Sequence, residues 1–424
     1  MLLIRGARVV DPLTNIDATR DIFIRDGVIS APSGVPARLK GVRVVEADGL
    51  AAAPGLVDMH VHLRDPGFTY KEDIRTGAAA AAAGGCTAAA CMPNTLPVAD
   101  NPETIRYIVE KSRSAPVAVL PYAAVTVGQR GAELTDFEAL RRAGAVALSD
   151  DGMPVMDASV MRSALVAARE CGMFISSHCE DANLARDCAV NEGRVSEALG
   201  LPGRPSSAEE IMAARDILLS AETGARVHIA HVSSGRTVEI IRRAKADGVR
   251  VTAETCPQYF SLTEDEVAAR GALARVNPPL RTRRDVDAVI AGLRDGALDA
   301  IATDHAPHSA GEKARPLADA PSGMIGLETS LAVSLTSLYH TGLLTLLDIA
   351  RLMSLEPARI LGLPERGLSA GAPADIVLFD ADERWTVDPE RFFSKARNTP
   401  FAGRELRGRV KYTIRGGEIV YASV

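Results

Sequence analysis

The chain lacks any paired cysteine motif. Its six cysteines, at 86, 91, 171, 179, 188 and 256, include no Cys-x-x-Cys. Such scatter builds neither a disulfide framework nor a cysteine zinc module, and it points to a reduced, cytoplasmic protein. A basic face is missing too. The formal charge is −6 and the pI near 5.8, with no Lys/Arg cluster, which argues against a nucleic-acid partner. No strongly apolar run is long enough for a membrane span, which needs about 20 residues. The longest small-residue stretch, GAAAAAAGGCTAAACM at 77–92, is broken by Gly84, Gly85 and Thr87 and reads as a helix running into a strand. The start, MLLIRGARVV, is interrupted by Arg5 and Arg8 and is no signal-peptide core. No solenoid-type repeat occurs. At 424 residues, 47% hydrophobic and 24% charged, the chain can bury the core of a large barrel and a smaller unit.

What is present is an alternation of short apolar strand candidates with helical segments. The strand candidates are LVDMHVH (56–62), TAAACMPN (87–94), VAVLPYAA (117–124), AVALSDD (145–151), MFISSH (173–178), RVHIAH (226–231), RVTAET (250–255) and LDAIATD (298–304). Between them lie helix-like segments such as 157–172, with Gly172 as its stop, and 235–248. Eight βα units in series predict a (β/α)8 TIM-type barrel over 56–367. The flanks, 1–55 and 368–424, contain short strands with Gly turns and are expected to pair into one small β-domain built from both chain ends.

In such a barrel the chemistry sits at the C-terminal strand ends, and the unusual polar residues fall there. His60 and His62 end the first strand, Asn94 the second, Asp151 the fourth, His178 the fifth, His231 the sixth and Asp304 the eighth. Side chains alternate faces along a strand, so His60 and His62 point the same way. The same count puts Val227, Ile229 and His231 on one face of the sixth strand and His228 on the other, as a structural residue. Each signal alone is weak: a single His-x-His is more often incidental, a lone histidine is more often a satisfied core residue, and LSDDG suits a turn. Four imidazoles and two carboxylates at one barrel mouth are a different matter, because buried polar groups need partners and a metal serves all of them. Imidazole with carboxylate suits zinc, with manganese or cobalt as alternatives.

The motifs PGLVDMHVHLRDPG, CMPNT, LSDDG, SSHCED, AHVSS, TAETCPQY, NPPLR and ATDHAPH, in this order, resemble the dihydroorotases of the amidohydrolase superfamily, over nearly the whole chain. The resemblance implies two zinc ions per subunit, one held by His60 and His62 and the other by His178 and His231. Many relatives bridge the metals with a carboxylated lysine; here Asp151 stands in that place, as in bacterial type I dihydroorotases, with a hydroxide as second bridge. It also implies that Asn277 contacts the pyrimidine ring and that Ser322 and Gly323 offer it backbone contacts. Relatives usually carry a bulky aromatic where Ser322 stands.

The reaction implied is the reversible cyclisation of N-carbamoyl-L-aspartate to L-dihydroorotate in pyrimidine (UMP) biosynthesis. Paired metals about 3.5–4 Å apart hold hydroxide and lower its pKa toward 7. Asp304, beside the first metal, can take the hydroxide proton and pass it to the leaving nitrogen. Arg64 offers a fork for the substrate carboxylate, with His62, Asn94 and His308 beside it; its bland alternative is a surface salt bridge. The Gly/Ala/Pro-rich segment 308–323 reads either as a lid or as an inert loop. His305 should face away from Asp304, His340 should be exposed, Cys86, Cys91 and Cys188 should fill core, and Cys179, next to His178, either fills core or perturbs the metal site. Two other functions stay open: a hydantoinase- or allantoinase-type hydrolase, and an inactive scaffold subunit of aspartate transcarbamoylase. A homo-oligomer and a complex with that enzyme are the implied assemblies.

Overall fold

The computed structural model describes residues 1–31 and 41–423, so 32–40 and 424 of the expected terminal domain lie outside the described residues. Eight parallel strands form one sheet in chain order: Leu56–Val61, Cys86–Cys91, Ala118–Ala123, Ala147–Leu148, Ile175–Ser177, Val227–Ile229, Val251–Thr255 and Ala300–Ile301. The His62 N–H donates to the His305 carbonyl at 2.8 Å, which joins the eighth unit back to the first. This closed sheet is the expected barrel. Helices intervene as the periodicity predicts. Ala158–Glu170 starts where the Asp157 carboxylate accepts from the N–H groups of Ser159 and Val160, and it stops before Gly172 at φ +72°.

Alternating residues divide cleanly between two layers. Val57, Met59, Tyr122, Ala147, Phe174 and Ala302 pack in the barrel interior, against Ala358, Ile360 and Leu361 of the helix Glu356–Leu361. Leu56, Val61, Cys91, Ile175 and Leu148 face the surrounding helices. Each fully buried large side chain contributes about 1.5–3 kcal/mol of burial free energy. Strict alternation from Val57 and Met59 would bring Val61 and Leu63 inward and turn both histidines out. Between Asp58 and Val61, however, the first strand carries one more residue than its neighbour. That bulge reverses the parity and delivers His60 and His62 to the interior.

The sixth strand departs from expectation. Val227 and Ile229 share the helix-facing side, and His228 is the inward residue, edge-on to Phe174. His231 reaches the mouth only because regular strand ends at Ile229 and His231 itself adopts φ +35°. Counting by twos through residue 231 fails at that break.

The chain ends build the second sheet, ordered Glu418–Ala422, Glu405–Arg415, Ile376–Thr386, Ala51–Pro54, Leu2–Asp11, Ile16–Arg25 and Val28–Ser30, with Arg43–Glu46 pairing on Leu2–Asp11. Ala51–Pro54 lies antiparallel to Ile376–Thr386 and passes straight into the first barrel strand through Gly55. Glycine is required there, since a Cβ would sit 2.3 Å from Thr87 Cγ2. His340 is not simply exposed: it is half-buried, its Nε2 2.7 Å from the Ala381 carbonyl of this sheet. Among the described residues no helix is long and apolar enough to cross a membrane.

Candidate metal centre and substrate cavity

Asp151 stands at the centre of the mouth. Its Oδ1 lies 3.4 Å from His60 Nε2, 3.4 Å from His178 Nδ1 and 3.5 Å from His231 Nε2, and its Oδ2 lies 3.5 Å from His62 Nε2. Two groups able to hold a cation therefore share this one carboxylate, His60–His62–Asp151 and Asp151–His178–His231. Asp304 joins the first group, with Oδ1 3.1 Å from His62 Nε2 and 3.7 Å from His60 Nε2.

The donors fit a bound metal on two grounds. His60 Nε2 and Asp151 Oδ1 are buried with no hydrogen-bond partner among the described residues, which is costly unless something else binds them. The local potential also calls for positive charge. Burial alone would lower His178, yet Asp151 and Glu180 raise it to about 10; His60 likewise rises well above its ordinary value through Asp151 and Glu254 despite burial. A dication would answer the same demand. Aspartate's short carboxylate spans both histidine pairs without the reach of a modified lysine.

Ring orientation is fixed from behind. His62 Nδ1 lies 2.9 Å from Asn94 Oδ1, so an Nδ1–H donates to the amide and Nε2 is left to face Asp151 and Asp304. Asn94 thus does more than line the cavity. Glu254, which the sequence reading did not single out, plays the matching part for His60, with Oε1 2.7 Å from Nδ1. The available signal was the seventh strand itself, where alternation places Thr252 and Glu254 inward together.

A cavity of about 210 Å³ opens above these groups, lined by Arg64, Asn94, Asn277, His308, Ser322 and Gly323 together with the metal-facing residues. All the expected substrate contacts thus meet in one space. Arg64 adopts φ +58° and gives its Nε–H to the Pro307 carbonyl at 3.3 Å; among the described residues its terminal amino groups have no partner. Burial lowers Arg64 from its ordinary value while Asp304 and Asp151 oppose this. His308 is pushed down to about 3 by burial and by Arg64 and Lys71, so it is neutral; its Nε2–H donates to the Ser322 carbonyl at 2.8 Å. The Ser322 hydroxyl turns away to accept from Arg275 Nε. Asn277 Nδ2 lies 3.3 Å from His178 Nε2, and its carbonyl accepts from Arg204, which also pairs with Glu180. Gly323 is forced by space as well as by φ +135°, since a Cβ would meet that of Ala306 at 2.7 Å. The segment 308–323 is held down by Lys313, whose ammonium donates to the carbonyls of Arg275, Pro321 and Gly323.

Other candidates sit elsewhere. His305 faces away, its Nδ1 accepting from the Gly326 N–H and its Nε2 3.5 Å from Glu72. Cys179 is buried near Ser177, with burial and Asp216 raising its thiol. A larger cavity of about 280 Å³, lined by Glu328, Trp385 and Arg409, contains none of the metal-holding groups.

Comparison with known proteins agrees with this geometry. A family model described as dihydro-orotase-like matches residues 49–237. The dihydroorotase of Pelotomaculum thermopropionicum is 52% identical over 419 residues, covering 99% of this chain and 98% of that one. That of Clostridioides difficile is 47% identical over 421 residues, covering 99% and 100%. Among solved structures, the L-hydantoinase (dihydropyrimidinase) of Arthrobacter aurescens superposes with a TM-score of 0.86 at 25% identity, covering 100% of this chain and 97% of that one. A D-hydantoinase from Bacillus sp. AR9, 24% identical with a TM-score of 0.86, shares the fold. With half its residues matched along nearly its entire length, the chain belongs to the dihydroorotase family.

Proposed function

We propose that this enzyme, a metal-dependent cyclic amidohydrolase, is a dihydroorotase that reversibly cyclises N-carbamoyl-L-aspartate to L-dihydroorotate plus water. The observation that carries the reading is Arg64. A half-buried cation, its terminal amino groups without a partner among the described residues, faces the same cavity as Asp304 and a neutral His308, as a substrate with one non-reacting carboxylate requires. The proposed metal is zinc, two ions per chain, the first at His60, His62 and Asp304, the second at His178 and His231, with Asp151 between them. Bound there, zinc would polarise the ring carbonyl and acidify water.

The protein's own groups do the rest. Asp304 removes the proton from the attacking water and returns it to the departing ring nitrogen. Arg64, with Asn94 and His308 beside it, holds the carboxylate; Asn277 and the backbone at Ser322 and Gly323 hold the ring. With its Nε2–H already donated to Ser322, His308 offers Nδ1 as an acceptor, 3.4 Å from Lys71 Nζ. The proposal includes division of the chain into a barrel, 56–367, and a terminal β-domain, 1–55 plus 368–424. It further includes a cytoplasmic homo-oligomer able to associate with aspartate transcarbamoylase.

The test is turnover in both directions. Purified protein should form dihydroorotate from N-carbamoyl-L-aspartate at mildly acidic pH and consume dihydroorotate at alkaline pH. Inertness toward both, with opening of a hydantoin, would move the assignment to the hydantoinase type.

A further inference from the structure

We infer that Glu254, braced by His228, is the positioning residue that aims His60 at the first metal and ties the two halves of the metal centre together. The inference rests on the metal-centre reading and extends Glu254's contact with His60 to His228 behind it and to the His231 backbone beside it. Glu254 Oε1 lies 2.7 Å from His60 Nδ1 and accepts, at 3.4 Å, from the backbone N–H of His231. Oε2 lies 3.3 Å from His228 Nε2, and His228 Nδ1 lies 2.9 Å from the Thr252 hydroxyl. Glu254, His60 and His228 are all at most 1% exposed.

The logic follows from donor and acceptor roles. An ionised carboxylate only accepts, so His60 must carry its proton on Nδ1. The lone pair then sits on Nε2, the atom buried without a hydrogen-bond partner among the described residues and 3.4 Å from Asp151 Oδ1. His228 Nε2 stands against Oε2 as an electrostatic neighbour without the alignment of a hydrogen bond, while its Nδ1 is held at the Thr252 hydroxyl. The side chain thus holds a rotamer in which one carboxylate touches both His60 and the His231 backbone. That second contact matters because His231 reaches the mouth through a left-handed conformation, φ +35°, that needs support. A carboxylate partner of this kind orients a ligating imidazole and raises its basicity, and losing one costs about 10- to 100-fold in metal affinity. His228 is therefore more than core filling.

The test reads metal affinity, not turnover. Zinc would be titrated into chelator-stripped wild-type, Glu254→Gln and His228→Asn proteins against a chromophoric chelator, with the metal-free melting temperature of each recorded. Glu254→Gln should bind zinc about 10- to 100-fold more weakly, with metal-free melting near wild type. His228→Asn should fall between, and the double variant should lose little beyond Glu254→Gln. Wild-type zinc affinity in folded Glu254→Gln would overturn the inference. Should that variant not fold, wild-type affinity in His228→Asn would overturn it equally. Wild-type protein that binds no zinc at all would instead sink the metal-centre reading.

Discussion

The Nε2 of His62 stands 3.1 Å from Asp304 Oδ1, while its Nδ1 is committed to Asn94. Asp304 is thus within reach both of a cation on His62 and of the cavity, at φ +48° just past the end of the eighth strand. An amide in its place keeps the shape and loses the ability to move a proton. Asp304→Asn should retain most bound metal and lose about 100- to 10,000-fold in kcat. Near-normal turnover at neutral pH would remove Asp304 from the proton path.

Arg64 separates reading the substrate from holding the loop. Each charge-assisted hydrogen bond contributes about 1.5–3 kcal/mol. Arg64→Met should therefore reduce kcat/KM for dihydroorotate by about 100-fold or more at unchanged metal content. Dihydrouracil, with the ring but no carboxylate, should lose far less. Lysine should rescue in part, since it offers a point charge in place of a fork. Equal losses on both substrates would make Arg64 a loop residue.

The direction of the reaction depends on pH. N-carbamoyl-L-aspartate carries two negative charges and dihydroorotate one, so ring closure takes up a proton. The equilibrium ratio should shift toward dihydroorotate by about tenfold per unit fall in pH. Chromatographic ratios that do not move with pH would mean a different substrate pair.

Lys313 gives a prediction about stability. Burial, with Arg275 nearby, pushes its ammonium down to about 7. Between about pH 7 and the ordinary lysine range the unfolded chain holds a proton that the native state has released, so this residue adds stability as pH rises across that window. Lys313→Met abolishes the contribution. The stability difference, wild type minus variant, should grow from pH 7 to 10 in chemical denaturation, and a constant difference would contradict the assignment.

Most of the barrel and mouth was legible because buried polar residues at strand ends stand out against alanine- and valine-rich strands. Asp151, His178 and Asp304 follow simple alternation from their inward neighbours Ala147, Phe174 and Ala302. His60 and His62 were placed correctly as a pair, but the bulge that makes it so is a matter of register with the second strand and leaves no mark in the first. His231 shows the opposite case: counting by twos gives it the face of Ile229, which packs toward the helices, and the left-handed break after Ile229 turns it to the mouth instead. Alternation in its strand turns Glu254 inward, but its pairing with His60, 194 residues away, is set by the fold and leaves no local trace.

The account depends most directly on metal-supported turnover of dihydroorotate. The purified chain would be stripped with a chelator and assayed while zinc is added back in measured equivalents. Hydrolysis should vanish on stripping and return with zinc, reaching its plateau near two equivalents per chain. Undiminished hydrolysis in fully stripped protein, or a chain that binds two zinc ions and leaves dihydroorotate untouched, would contradict it.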